Sequence, residues 1–481
     1  MAGELQIPRP LRRHSDARDS NMGDTTSGRK SADASVERAS FNRRTALLGA
    51  AATLVGTPSA WAQTSSASWL DNLTGFSNPA ARAPEAARAA EPEQLADLRS
   101  GTMPWRSEAM VEAISDSIGR HEQLAKQGGW SAIPPGRVVR PGEGDERMPT
   151  VRRRLYVSAD LPDSARNSFW SSDLSLDGEI EAGLKRFQER HGLRINGRLD
   201  KPTVEAMNVS IQTRIEQLKL NRRRITELMA GRGEDRYILV NAAAYQLEAV
   251  EQREVRQRHR VIVGKPDRQT PSVRATVRAL NFFPYWRVPE SVATLDLIPR
   301  LRKEPEYLQN EIIRVFNGFN GPELDPRNVD WNTADGRALK FRQDPGPRNA
   351  LGLVRIDMPN EHIVYMHDTP LKPLFNQRQR AFSAGCVRVQ DVFKLVEWIA
   401  RYENGWDNPG RVSQVVDAGQ PVDVTLTRPI PVIFSYITAW AEEDGRTYFV
   451  PDIYGRDGLR DLTSGEKDPD APPLPSGGLA P

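Results

Sequence analysis

Phe382-Ser383-Ala384-Gly385-Cys386-Val387-Arg388 contains the only cysteine in 481 residues, nineteen positions after the imidazole of Tyr365-Met366-His367-Asp368-Thr369-Pro370. A lone thiol forms no intrachain disulfide, which leaves a buried small hydrophobe, an intermolecular bridge or a nucleophile. The neighbours favour the nucleophile. Ser, Ala and Gly keep the surroundings of the thiol small, so backbone N–H groups can approach a reacting carbonyl. Arg388 adds a cation that favours thiolate over thiol. An imidazole such as His367 can take the thiol proton, since only the thiolate attacks efficiently.

The residues around this pair carry open roles. Tyr365 shares a face with His367 if the strand is regular, so it lines the site, donates a hydrogen bond or fills the core. Ser383 positions the imidazole or the oxyanion, or stabilises a turn. The backbone N–H groups of Gly385 and Cys386 are the oxyanion candidates, because they need no flexible side chain. Arg388 holds a substrate carboxylate or joins a structural ion pair. The chain has six histidines. His362 and His367 lie five apart in one expected strand and so point to opposite faces. With one Cys and scattered His, no zinc site and no cofactor are expected.

Outward from this pair the pattern is of short strands. Tyr237-Ile238-Leu239-Val240-Asn241, Arg260 to Lys265, Val422 to Leu426 and Val432 to Trp440 read as β runs. Glu443-Asp444-Gly445 turns into a further strand, Thr447 to Val450. A mainly β unit is expected over 236–461. Within it, 289–341 is proline-interrupted and helical, and reads as an inserted lid. Upstream, Ile180, Leu184 and Phe187 fall on one face of a helix that Gly192 ends. Asn196-Gly197 makes a turn, and a second helix follows Asp200 with Pro202 in its first turn. His191 sits at a helix end, where an imidazolium suits the dipole. Leu218 to Ala230 reads as a connecting helix within 213–235. Glu108 to Gln127 is helical inside an N-terminal scaffold region, 101–169.

Two resemblances follow from these residues. Leu184-Lys185-Arg186-Phe187-Gln188, His191-Gly192-Leu193, Asn196-Gly197, Thr203 and Met207-Asn208 resemble the small helical peptidoglycan-binding domain of bacterial cell-wall enzymes, over 170–212. Phe282 to Pro289, Arg342 to Leu353, Tyr365 to Pro370 and Phe382 to Val389 resemble the L,D-transpeptidases with a YkuD-type domain. That family's signature is a His in a strand followed by S-x-G-C-x-R. The Leu374-Phe375-Asn376 segment resembles the large periplasmic members. Many members have His where this chain has Ala384, so no second-histidine role is expected. The resemblance implies an α+β multidomain protein: a mainly β catalytic domain with an inserted helical lid, and a small helical peptidoglycan-binding domain. It implies acyl transfer from a tetrapeptide stem to Cys386 and then to an amine of a second stem, giving a 3→3 crosslink in cell-wall biogenesis. The alternatives are an L,D-carboxypeptidase on the same scaffold and a non-catalytic peptidoglycan-binding scaffold. It further implies that carbapenems acylate Cys386.

Charge and the N-terminus set the remaining expectations. The 66 basic and 63 acidic residues leave a net charge of +3, so no nucleic-acid partner is expected. The basic runs Arg152-Arg153-Arg154 and Arg222-Arg223-Arg224 read as exposed helix faces. Asn42-Arg43-Arg44, the mildly apolar stretch Thr45 to Gly56 and Ala60-Trp61-Ala62 before Gln63 read as a twin-arginine export signal over 1–62, with Met22 as an alternative start. That places the mature protein in the periplasm without a retained transmembrane anchor, among peptidoglycan stem peptides and glycan. A linker over 63–100 and a disordered Pro/Gly/Ser-rich tail over 462–481 complete the chain.

Overall fold

Ile238, Leu239 and Val240 are all fully buried, which a strand achieves only when both faces of its sheet are covered. The computed structural model describes residues 103–162, 164, 170–230, 233–459 and 462. The expected export signal over 1–62, the linker over 63–100 and the tail beyond 462 lie outside them.

The main sheet has nine strands: β1 (Arg236–Asn241), β2 (Gln246–Glu251), β3 (Glu254–Gly264), β4 (Val273–Phe282), β9 (Val354–Asp357), β10 (Met366–His367), β11 (Ala381–Ser383), β12 (Val387–Val389) and β13 (Val422–Ser435). Their order is β11-β3-β12-β10-β9-β4-β13-β1-β2, and β3 also pairs with β2, so the sheet closes on itself. Two strands expected over 422–440 are a single 14-residue β13, followed by a short separate hairpin of β14 (Ala439–Ala441) and β15 (Thr447–Phe449). The register of β13 against β4 shifts between Thr425 and Ile430. The shift takes in Pro429, and Pro431 stays in register opposite Thr276, so the strand does not end at either.

The segment between β4 and β9, expected as an insertion, has a core of its own. Four strands, β5 (Trp286–Arg287), β6 (Ile313–Asn317), β7 (Glu323–Leu324) and β8 (Leu339–Gln343), form a small sheet in the order β5-β8-β6-β7. Short helices at Glu290–Val292 and Ile298–Leu301 flank a π-helical turn at Ala293–Leu297. The segment thus adds a small sheet to the short helices, which the helical reading of 289–341 did not include. Its Arg-rich strands hid the alternation of Ile313, Val315 and Phe341, which bury one face.

Helices α1 (Glu108–Lys126), α2 (Met148–Val157), α3 (Gly178–Arg190), α4 (Lys201–Asn208) and α5 (Ile211–Met229) precede the sheet. Ser107, Asp177, Asp200 and Ser210 cap four of them by accepting backbone N–H bonds. The helical core begins ahead of residue 170. Ile133, Val139, Met148, Val151 and Leu155 share one cluster with Leu184, Phe187, Leu199 and Met207. Arg152 and Arg154 are buried here, correcting the exposed-face reading: Arg154 lies over the Trp130 ring at 3.8 Å and donates to the Met207 carbonyl at 3.1 Å. His191 caps α3, but it is buried and stacked on Phe187 at 3.7 Å. Burial lowers its pKa well below the ordinary value, so it is a neutral ring and does not act on the helix dipole as a cation. Helices α1 and α5 pack on the β14–β15 hairpin through Met110, Ile114, Leu218, Trp440 and Phe449. Among the described residues, no helix is long and apolar enough to cross a membrane.

Candidate active site

β10 and β12 are neighbouring parallel strands, with Met366 opposite Val387 and His367 opposite Arg388. Met366 and Val387 are fully buried. Alternation therefore puts Tyr365, His367, Cys386 and Arg388 together on the other face. β9 extends the row, since Arg355 pairs with His367. The Tyr365 and His367 rings meet edge to face at 5.7 Å, and His367 is fully buried. His362, expected in the same strand, lies instead in an exposed turn. Asn360 holds that turn, accepting from the His362 and Val364 N–H groups.

The imidazole is fixed by its Nδ1, which donates to the Asp368 carbonyl. That bond selects the tautomer with a lone pair on Nε2, and Nε2 has no hydrogen-bond partner. Burial, and then the charge of Arg388, lowers the His367 pKa to about 3. Burial likewise pushes the Cys386 thiol up to about 11, although the Tyr365 N–H and hydroxyl, Arg388 and Arg355 all favour the thiolate. The resting pair is therefore a neutral thiol and a neutral imidazole. No hydrogen bond joins them, since the His367 Nε2 has no partner among the described residues.

The turn before the cysteine is built from its own side chains. Ser383 Oγ donates to the Cys386 carbonyl at 2.5 Å and accepts the Gly385 N–H at 3.1 Å. This commits the Gly385 N–H, so of the two expected oxyanion donors only the Cys386 N–H has no partner among the described residues. Gly385 has φ +125°, a conformation that L side chains rarely adopt. Arg388 is 2 % exposed and its Nε has no hydrogen-bond partner. No carboxylate pairs with it among the described residues: burial lowers its pKa to about 10, and Cys386 is the group whose charge opposes that. The ion-pair alternative for Arg388 therefore fails.

Several site residues escape a reading by motif. Arg355 lies over the Tyr365 ring at 5.6 Å and donates to Asn281 at 3.1 Å. Asp368 is buried, accepts the Leu353 N–H at 3.0 Å and pairs with Lys372. The alternation of Val354-Arg355-Ile356-Asp357 was the available signal for Arg355; for Asp368 it was adjacency to His367. Tyr365 and Ala384, both half-buried, pack against the core of the inserted segment, so the insertion borders the site. No group of three His, Cys, Asp or Glu side chains among the described residues is placed to hold a metal ion.

Residues 235–424 match the family model of the YkuD L,D-transpeptidase catalytic domain. That match spans less than half of the chain. It contains His367 and Cys386 and the whole insertion. A curated protein of Haemophilus influenzae, named "Putative L,D-transpeptidase", is 32% identical to the chain over 221 residues, or 46% of this chain and 44% of the relative. The chain thus matches less than half the length of that relative. Among solved structures, an L,D-transpeptidase of Stackebrandtia nassauensis is similar at 12% identity, with 63% of this chain and 96% of that one covered and a TM-score of 0.24. The E. faecium L,D-transpeptidase catalytic domain acylated by ertapenem is similar at 13% identity, covering 43% and 100%, with a TM-score of 0.21. Likeness at these TM-scores adds no weight. Outside the matched region lie α1 to α5 and the chain beyond residue 424.

Proposed function

We propose that the protein is a periplasmic peptidoglycan L,D-transpeptidase that forms 3→3 crosslinks through a thioester on Cys386. The observation that carries this reading is the shared face of Cys386 and His367, with Nδ1 bound and Nε2 carrying an unused lone pair. His367 Nε2 takes the thiol proton as sulfur adds to the carbonyl joining the third stem residue to D-alanine. The oxyanion that forms meets the Cys386 N–H and the charge of Arg388. The C–N bond breaks, His367 returns the proton to the departing amine, and the acyl group remains on sulfur. An amine from the third residue of a second stem then attacks the thioester. His367 accepts its proton and hands it to the sulfur as the C–S bond breaks.

The insertion acts as the lid that excludes water, which favours an amine over hydrolysis. The helical unit around 170–212 is proposed to hold the glycan polymer, and the twin-arginine segment to export the chain. The test is mass spectrometry of products from purified disaccharide-tetrapeptide, beside Cys386→Ala. Cysteine-dependent 3→3 dimers are expected. Tripeptide alone would make the enzyme a carboxypeptidase, and no product from a protein that still pellets with sacculi would make it a scaffold.

A further inference from the structure

The nucleophile turn is held from outside by a threonine from a distant loop. Thr270 is fully buried. Its Oγ1 donates to the Gly385 carbonyl at 2.8 Å and accepts the Gly264 N–H at 2.9 Å. Gly264 ends β3 at a turn so tight that a Cβ there would lie 2.1 Å from the Arg268 carbonyl oxygen. The turn is held in its own right: Lys265 N–H donates to the Ser383 carbonyl at 2.9 Å, and Arg268 N–H to the Lys265 carbonyl at 3.0 Å.

A second layer holds the threonine. Tyr454 donates its hydroxyl proton to the Gly264 carbonyl at 2.7 Å and accepts the Thr270 N–H at 3.3 Å. Tyr454 stacks on Tyr436 at 5.3 Å, and the Tyr436 hydroxyl donates to Asp452 at 2.6 Å. Arg456 reaches the same loop, donating to the Thr270 carbonyl at 2.9 Å. Tyr454 and Arg456 lie beyond residue 424, outside the matched domain.

The geometry of one peptide unit gives this network a consequence. The Gly385–Cys386 peptide is trans, as no cis bond occurs in the chain's described residues, so its C=O and the Cys386 N–H lie in one plane and point in opposite directions. Fixing the Gly385 carbonyl on Thr270 fixes the direction of the Cys386 N–H. Gly385, at φ +125° and with no Cβ, has little stiffness of its own to hold that plane.

We infer that Thr270, steadied by Tyr454, is a positioning residue that aims the Cys386 N–H at the oxyanion formed when sulfur adds to a carbonyl. The inference rests on the proposed acyl transfer, because it concerns a carbonyl adduct of Cys386. Alkylation by iodoacetamide forms no oxyanion and so reports on the thiol alone.

The experiment compares wild type, Thr270→Val, Thr270→Ser and Tyr454→Phe in two reactions, acylation by ertapenem and alkylation by iodoacetamide, both read by intact mass. Because the chain has one cysteine, 15N-cysteine labelling adds a spectrum with a single amide peak. Thr270→Val is expected to slow acylation about 10- to 100-fold while alkylation stays within about twofold, since misplacing an oxyanion donor costs up to what its removal costs. Thr270→Ser restores the rate, and Tyr454→Phe, which keeps the threonine hydroxyl and guards against misfolding of the valine variant, slows acylation by a smaller factor. The Cys386 amide peak moves in Thr270→Val and not in Thr270→Ser. Equal losses in both reactions, or an amide peak unmoved by Thr270→Val, would overturn the inference. If wild type resists ertapenem yet alkylates, the proposed function falls, and the amide peak alone decides where the N–H points.

Discussion

His367 and Arg388 are cross-strand partners on β10 and β12, and no carboxylate among the described residues pairs with the guanidinium. An unpaired buried cation is costly to fold around. Here its field adds to burial in keeping the imidazole deprotonated, and favours the thiolate two residues earlier. Arg388→Met is therefore expected to raise the melting temperature while acylation of Cys386 falls. It also removes the cation that depresses His367, so the acid limb of the acylation profile moves to higher pH. Thermal melts and a pH–rate profile check both halves, and a destabilised variant would mean that Arg388 has a structural partner.

Cys386 rests as a thiol, pushed up to about 11 chiefly by burial. Only the thiolate fraction alkylates, so the iodoacetamide rate should rise about tenfold per pH unit from pH 6 to 9 without levelling. A plateau below pH 8 would reveal a preformed thiolate–imidazolium pair.

In the proposed mechanism His367 moves the proton through Nε2. His367→Ala is expected to lower acylation by ertapenem about 10²- to 10⁴-fold, the usual range for a lost acid–base group. Single-turnover mass spectrometry measures this directly, and a loss below about tenfold would point to another base.

The insertion is tied to the loop that carries Thr270. Arg268 forms a two-pronged ion pair with Asp296 of the π-helical turn, with Nη2 3.0 Å from Oδ1. Asp296→Ala releases that tie and should raise the share of hydrolysed tripeptide over crosslinked dimer, because water then reaches the thioester more freely. An unchanged product ratio would remove the lid role from the insertion.

His121 packs edge-on to Phe449 at 5.8 Å. Burial, with help from Arg190, Arg120 and Arg154, lowers its pKa from 6.5 to about 4. The unfolded chain then binds a proton that the folded one refuses. Stability is complete above pH 6.5 and falls as pH drops toward 4, by roughly 3 kcal/mol from this residue. Urea titrations at pH 7.5 and 5 should differ in that direction, and His121→Leu should flatten the difference.

Motif and alternation exposed much of this molecule. Cys386 and His367 stood out because a lone thiol beside small residues has few other uses, and the helix starting after Asp200 was legible from its cap. The buried Arg152 and Arg154 were not, since a run of three arginines looks like solvent-facing surface until Trp130 and the Met207 carbonyl are seen to receive Arg154. The insertion hid its strands because they are short, and two of them have only two residues each.

What the sequence determined by itself is the candidate pair of thiol and imidazole and the period-2 strands that carry it, because side-chain chemistry and alternation are local properties of the chain. Tertiary structure alone decided which backbone N–H of the cysteine turn is left without a partner, that Arg388 has no counter-ion among the described residues, and that Thr270 and Tyr454 support the cysteine turn. Thr270 and Gly385 are 115 positions apart. No local pattern encodes a hydrogen bond across that separation: it exists only once β3, β12 and the C-terminal segment have packed together.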